Sequence, residues 1–373
     1  VDTDEALKEI VDQASQEERY ALDTEFHREK TYYPQLALVQ LKIRSQISLI
    51  DPLSCDPTLL GPLFSSSALC VLHAAQQDLE VLRWASGAVP EHIFDTQVAA
   101  GYLGLSTPSL SSLVQMATKV VLPKGDRLTD WLRRPLSEAQ RKYAAADVEF
   151  LFEIHNQQVE RLQTLQRIAW VESACEELRL RPSGPVSPDR AWLRVKDVRT
   201  LKGQSRGIAQ AVAEWRELRA MALDIPPRRV LSDMALLVVA SAAPRSVEEL
   251  LTCRGIDSRA VGGLATEIVE VIQRGRERDV QFPNSGSLDI DPKFRSVVPL
   301  VMAWISELAR LHEIDPTFLA TRQDVDDFIV GAESSRLRSG WRREIVGSDL
   351  LALLEGAAAL RFDGSGRLEL VRI

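Results

Sequence analysis

Tyr20-Ala-Leu-Asp-Thr-Glu-Phe26 is the stretch on which the fold turns. It is short, β-rich and partly alternating, and side chains two apart on a strand face the same way. Asp23 and Glu25 therefore project together from an otherwise apolar element. Two carboxylates about 4 Å apart repel by roughly 4 kcal/mol at an effective dielectric near 20. A divalent cation offsets that repulsion, and hard oxygen ligands suit magnesium or manganese. The plainer alternative is an edge strand whose acidic face lies in water.

Outward from this strand, Leu36–Lys42 and Gln46–Ile50 read as two more strands, and Ala68–His73 is a fourth apolar run of strand length. Asp78–Ala85 has apolar residues at helical spacing, and Asp78 reads as its N-cap, where Asp is favoured. Asp95–Leu103 and Leu110–Val120 read as helices. Ser137-x-x-Gln140 has the form of a capping box and opens one long helix through Tyr143, Asp147, Leu151 and Ile154. Tyr143 and Asp147, four apart, share a face of it, and the alanines between them allow close backbone approach. Strands first, then interleaved helices, predict an α/β domain with a mixed sheet over residues 1–185.

Arg181-Pro-Ser-Gly-Pro-Val-Ser-Pro188 is a breaker-rich linker, and all five tyrosines precede it. Residues 190–276 read as a first all-α domain of short helices. After a second linker, Glu277–Pro292, residues 293–373 read as another, closing on a hairpin across Asp363-Gly-Ser-Gly366. The two blocks match in size and helix order, as diverged copies of one module would.

The 373 residues are 45% hydrophobic and 26% charged, the balance of a soluble globular protein. The longest apolar run, Met234–Ala243, is about half of what a membrane span needs. The acidic start, Val1–Glu5, lacks the pattern of a secretory signal. Four dispersed cysteines form no CxxC pair, which favours a reducing cytoplasm. The five histidines are equally scattered, so a metal must be held mainly by oxygen. Net charge is −8, unevenly spread: residues 1–100 carry 16 acidic and 7 basic side chains, whereas Arg181–Arg229 holds 11 basic and 5 acidic. An acidic body joined to a basic middle suits a metal site followed by a polyanion grip.

Four carboxylates (Asp23, Glu25, Asp78, Asp147) and Tyr143 thus fall in one α/β domain. Together with Thr31-Tyr-Tyr-Pro-Gln35, His73-Ala-Ala-Gln-Gln-Asp-Leu-Glu80, Asp95-Thr-Gln97, Thr129-Asp-Trp131 and Arg134-Pro-Leu136, they resemble the DEDD exonuclease superfamily. Over its whole length the chain resembles the bacterial ribonuclease D family. The tail, for instance at Ser339-Gly-Trp-Arg342, is similar to that family's tandem HRDC modules. The superfamily's histidine branch places its histidine five residues before the last Asp. That position is Lys142 here, while the tyrosine branch's residue is Tyr143.

The resemblance implies a ribonuclease H-like exonuclease domain, two HRDC-like helical domains, and removal of nucleotides from an RNA 3′ end as 5′-monophosphates. It implies two divalent ions, magnesium or manganese, on Asp23, Glu25, Asp78 and Asp147, with Asp23 bridging and Tyr143 orienting the attacking water. A phenol, with an ordinary pKa near 10, is a poor base at neutral pH. Thr24 and His73 are candidate contacts to the last nucleotide. Lys124 and Arg127, with Arg133 and Arg134, lie before the catalytic helix where they can meet phosphates, or can form a solvated basic loop. Trp131 reads better as a core anchor than as a base-stacking ring. The expected partner is RNA with a free 3′ end, tRNA precursors among them, acted on by a monomer in the cytoplasm without membrane attachment. The same carboxylates would serve a 3′–5′ DNA exonuclease, and a catalytically silent RNA-binding scaffold is the reading from another class.

Overall fold

Leu7, Val11 and Ala14 recur on one helical face and are buried, which makes Asp4–Ser15 (α1) an amphipathic helix, capped by Thr3. The computed structural model describes residues 1–122, 129–182, 184, 187–257, 262–282, 291, 294 and 296–373. After α1 come β1 (Arg19–His27), β2 (Gln35–Ile43) and β3 (Gln46–Ile50), within a residue of the stretches read as strands. A short helix, α2 (Gly61–Phe64), leads to β4 (Leu69–Leu72), α3 (Gln76–Ser86) and β5 (Ile93–Asp95). Then follow α4 (Thr96–Gly101), α5 (Leu110–Thr118), α6 (Glu138–Glu149), α7 (Leu151–Thr164) and α8 (Ile168–Arg179).

The sheet order is β3-β2-β1-β4-β5, antiparallel on the β2 side and parallel on the β4 side. It is mixed, as expected, with β1 at its centre. That removes the edge-strand alternative for Asp23 and Glu25. Tyr20 and Leu22 belong to the core that includes α1, whereas Ala21 packs with Val148 and Leu151. By strand alternation Asp23 and Glu25 share the face of Ala21, under α6 and α7. Along β1, β4 pairs with Arg19–Ala21 alone, so the second half of β1 borders a crevice at the carboxyl end of β4, where α3 begins.

Two expectations need correction. Asp95–Leu103 is not one helix: β5 ends at Asp95, whose carboxylate caps α4. The long helix beyond Ser137 is also two. Its capping box forms with Gln140, but Phe150 (φ −105°, ψ 6°) leaves helical geometry and separates α6 from α7.

The helical tail repeats one scheme. A long helix, Gln204–Leu223 (α9) or Val297–His312, ends on a left-handed residue, Asp224 (φ 49°) or Glu313 (φ 50°). Ile225 or Ile314 bonds back to Ala220 or Ala309, and a short helix starts at Pro227 or Pro316. Ser232 or Thr321 then caps the next helix. The first copy has a core of its own, including Trp192, Ile208, Leu236 and Ile272. The core of the second, with Val301, Ile305 and Leu350, is continuous with that of the sheet and α1. The β6 (Ala358–Phe362) and β7 (Leu368–Arg372) hairpin closes the chain as expected.

Candidate active site

Three elements converge at the crevice. β1 presents Asp23 and Glu25, and α6 presents Asp147, with one carboxylate oxygen of each within 4.8 Å of the others. Buried Ala144 lets α6 lie close to the sheet. Burial, and then the neighbouring carboxylates, push the pKa of Asp23 well above the usual range and that of Glu25 up to about 8. The cost of ionising these carboxylates side by side is therefore a property of the folded chain.

Asp78 adds the fourth carboxylate, but not as a cap. The helix starts two residues earlier, and Ala75, at the cap position, makes no side-chain bond. Asp78 lies in the first turn, buried, and accepts the Thr24 hydroxyl at 2.5 Å. Burial raises its pKa to about 6, partly opposed by that hydrogen bond, and its charge bears on Asp23. The chain enters α3 through Ala74 at φ 58°, a left-handed conformation disfavoured by about 1–2 kcal/mol for a residue with a Cβ. Buried Asp95 holds it there, accepting N–H bonds from Ala74 (3.0 Å), Ala75 (2.8 Å), Gln97 (2.8 Å) and Val98 (3.3 Å). Asp95-Thr-Gln97 stood among the motifs, yet nothing in its letters says that Asp95 ties two turns together.

Gln40 was not singled out in the sequence. It pairs with Asp23 across β1 and β2, so the two side chains share a face. It is fully buried, and neither amide atom has a hydrogen-bond partner among the described residues. Hard carboxylate oxygens at this spacing, beside an orphaned amide, fit a divalent cation.

The other predicted residues fall as follows. Tyr143 lies one turn before Asp147 on α6, its ring 6.0 Å from that of Trp131, which is buried as a core anchor should be. The Thr24 hydroxyl is committed to Asp78. His73 Nδ1 lies 2.9 Å from Thr96 Oγ1, and burial holds its pKa below the ordinary value. Arg134 is not free for phosphates: it chelates Asp51 at 2.6 and 2.7 Å and bonds the Trp131 and Ala37 carbonyls. Lys124 and Arg127 lie outside the described residues. Among the described residues, no helix is long and apolar enough to cross a membrane.

This sheet order, with acidic residues converging from its central strand and the helices around it, defines the class: residues 1–163 match the family described as 3′–5′ exonuclease, and residues 205–272 match the HRDC domain. The chain is 34% identical to ribonuclease D of Gluconacetobacter diazotrophicus, over 98% of this chain and 95% of that one. It is 35% identical to ribonuclease D of Jannaschia sp., over 98% and 97%. The crystal structure of Escherichia coli RNase D, an exoribonuclease involved in structured RNA processing, superposes with a TM-score of 0.84 at 29% identity, covering 95% of this chain and 98% of that one. The chain belongs to the ribonuclease D family of 3′–5′ exoribonucleases, enzymes that work with divalent metal ions.

Proposed function

We propose that Asp23, Glu25, Asp78 and Asp147 hold two divalent ions, magnesium or manganese, and that Tyr143 orients the water that attacks the last phosphodiester of an RNA 3′ end. The observation that carries this is the convergence of Asp23, Glu25 and Asp147 oxygens within 4.8 Å, on a central strand and a facing helix. When bound, the ions offset charge on the attacking and leaving oxygens. The chain's own residues do the placing. Thr24 fixes the Asp78 carboxylate through its hydroxyl, so any contact of Thr24 with the terminal nucleotide falls to its backbone. His73, between β4 and α3, meets that nucleotide as a hydrogen-bonding group. Tyr143 acts by hydrogen bonding and not as a base. Lys124 and Arg127 contact backbone phosphates.

The substrates are RNAs with a free 3′ end, tRNA precursors and other structured RNAs among them, and the products are 5′-monophosphates. The protein acts as a cytoplasmic monomer with an exonuclease domain at 1–185 and HRDC-like domains at 190–276 and 293–373. The test is incubation of 3′-labelled and 5′-labelled RNA and DNA with magnesium, manganese or chelator. Expected are immediate release of labelled mononucleotide from the 3′ end, a ladder of shortening 5′-labelled RNA, and silence in chelator. Internal fragments, or trimming that ignores chelator, would overturn the reading.

A further inference from the structure

Three cavities, of about 710, 270 and 260 Å³, adjoin one another along α3. The first is bordered by Asp78 and shares Gln76, Leu178 and Arg181 with the second. The second shares Arg28, Glu80 and Arg194 with the third, which ends at Tyr33 and Trp84. Gln76, Glu80, Arg83 and Trp84 fall at helical spacing, so one face of α3 forms the floor of a continuous groove. That groove leads from Asp78 at the start of α3 to the junction with the first HRDC-like module, which supplies Arg194.

The groove is cationic although the protein carries a net charge of −8. Arg28 is paired with Glu80 at 2.7 Å, and Arg179 with Glu176 at 2.6 Å. Arg83, Arg181 and Arg194 are exposed and have no carboxylate partner among the described residues. Among the described residues, Arg83 and Arg181 bond neutral groups, the Arg179 carbonyl and the Gln76 amide. At the far end Trp84 is 40% exposed and braced by Tyr33, with ring centroids 4.6 Å apart. Unpaired guanidinium groups along a concave path, ending on an exposed aromatic ring, match a single strand of nucleic acid, with phosphates for the cations and a base for the ring.

We infer that the groove along α3 binds the single-stranded stretch of RNA just upstream of the 3′-terminal nucleotide, with Arg83, Arg181 and Arg194 on its phosphates and Trp84 stacking a base. This rests on the exoribonuclease reading for the direction of the strand. α3, at 11 residues, is about 16 Å long, enough for about five nucleotides at stacked spacing. Shorter substrates fail to reach Trp84.

The test compares the wild-type chain, Trp84→Ala, the double variant Arg83→Gln/Arg181→Gln, and Arg44→Gln as a control that removes one positive charge away from the groove. Binding of a 5′-fluorescein-labelled twelve-nucleotide oligouridylate is followed by anisotropy in chelator. KM is measured with magnesium on oligomers of three and twelve nucleotides. Trp84→Ala is expected to weaken binding of the twelve-mer about tenfold. The double variant is expected to do the same and to flatten the salt dependence of log Kd by about 1.4. In both, the ratio of trimer KM to twelve-mer KM falls about tenfold, while the Arg44→Gln ratio stays at the wild-type value. Twelve-mer affinity and KM ratio equal to wild type in both groove variants would overturn the inference. If wild-type protein binds the twelve-mer through these residues yet trims neither oligomer, the nuclease reading fails and the groove stands.

Discussion

The two helical modules approach the exonuclease domain with the same corner, the end of the first long helix, yet the two junctions are built differently. In the first, Tyr32 donates its hydroxyl to Glu217 at 2.6 Å, and the Tyr32 and Tyr33 amides donate to Asp224. In the second, Phe318 fills the space left by Gly101, where a Cβ would fall 2.2 Å from the ring, and Trp341 stacks on Trp170 at 4.3 Å. Arg342 and Arg167 tie this contact to Tyr102 and to the carbonyls of the helix end. One repeat is hydrogen-bonded on; the other completes the catalytic domain's core. Two modules built on one scheme can thus join the same domain differently, one through a polar seam and the other as part of its core.

The largest expected effect separates them by deletion. Removing residues 293–373 exposes the core shared with the sheet, so the exonuclease domain is expected to lose cooperative unfolding and all activity. A truncated chain with wild-type near-UV circular dichroism would break the comparison. For the same reason, deleting the whole helical tail does not isolate a role in RNA selection. Phe318→Ala should cost about 3–4 kcal/mol and lower the denaturant midpoint of the transition that abolishes nuclease activity. Tyr32→Phe combined with Asp224→Asn should cost only about 1–2 kcal/mol. It should leave that midpoint in place while speeding protease cleavage near the first module.

The first junction and the second module should also fail at opposite ends of the pH scale. Burial and the bond to Glu217 raise the Tyr32 pKa when docked. The separated phenol therefore loses its proton first, and this contact weakens as pH rises above about 10. Asp324 sits in the second module beside Arg336. Burial raises its pKa, but the bonds from Arg336 and Thr321 outweigh that and hold it below the ordinary value. Its stabilisation is present above about pH 4 and lost as pH falls further. Tyr32→Phe should flatten the alkaline limb of a proteolysis–pH profile, and Asp324→Asn the acid limb of an unfolding–pH profile. Unchanged limbs would mean that other groups set them.

The site was legible because strand periodicity puts Asp23 and Glu25 on one face and helical spacing puts Tyr143 and Asp147 on another. The Ser137 capping box was legible for the same local reason. What stayed hidden depends on tertiary contacts. Phe150 breaks a helix with neither Gly nor Pro to announce it. β5 is three residues long, too short for periodicity. Asp78 has the residue type of a cap, but the position of α3 follows from Asp95 gripping Ala74 and Ala75, twenty residues away in sequence. Neither the orphaned amide of Gln40 nor the seat of Phe318 against Gly101 exists until the sheet and the modules meet.

The central claim, that these carboxylates repel one another until a cation joins them, is tested most directly by metal-linked unfolding of wild-type protein and Asp147→Asn. Manganese at a hundred times its dissociation constant should stabilise the wild type by about 2.7 kcal/mol. In chelator Asp147→Asn should unfold at a higher temperature than wild type, because one charge has left the cluster. It should gain little from manganese and cleave no RNA. Equal stabilisation of both proteins by manganese, or of neither, would contradict the account.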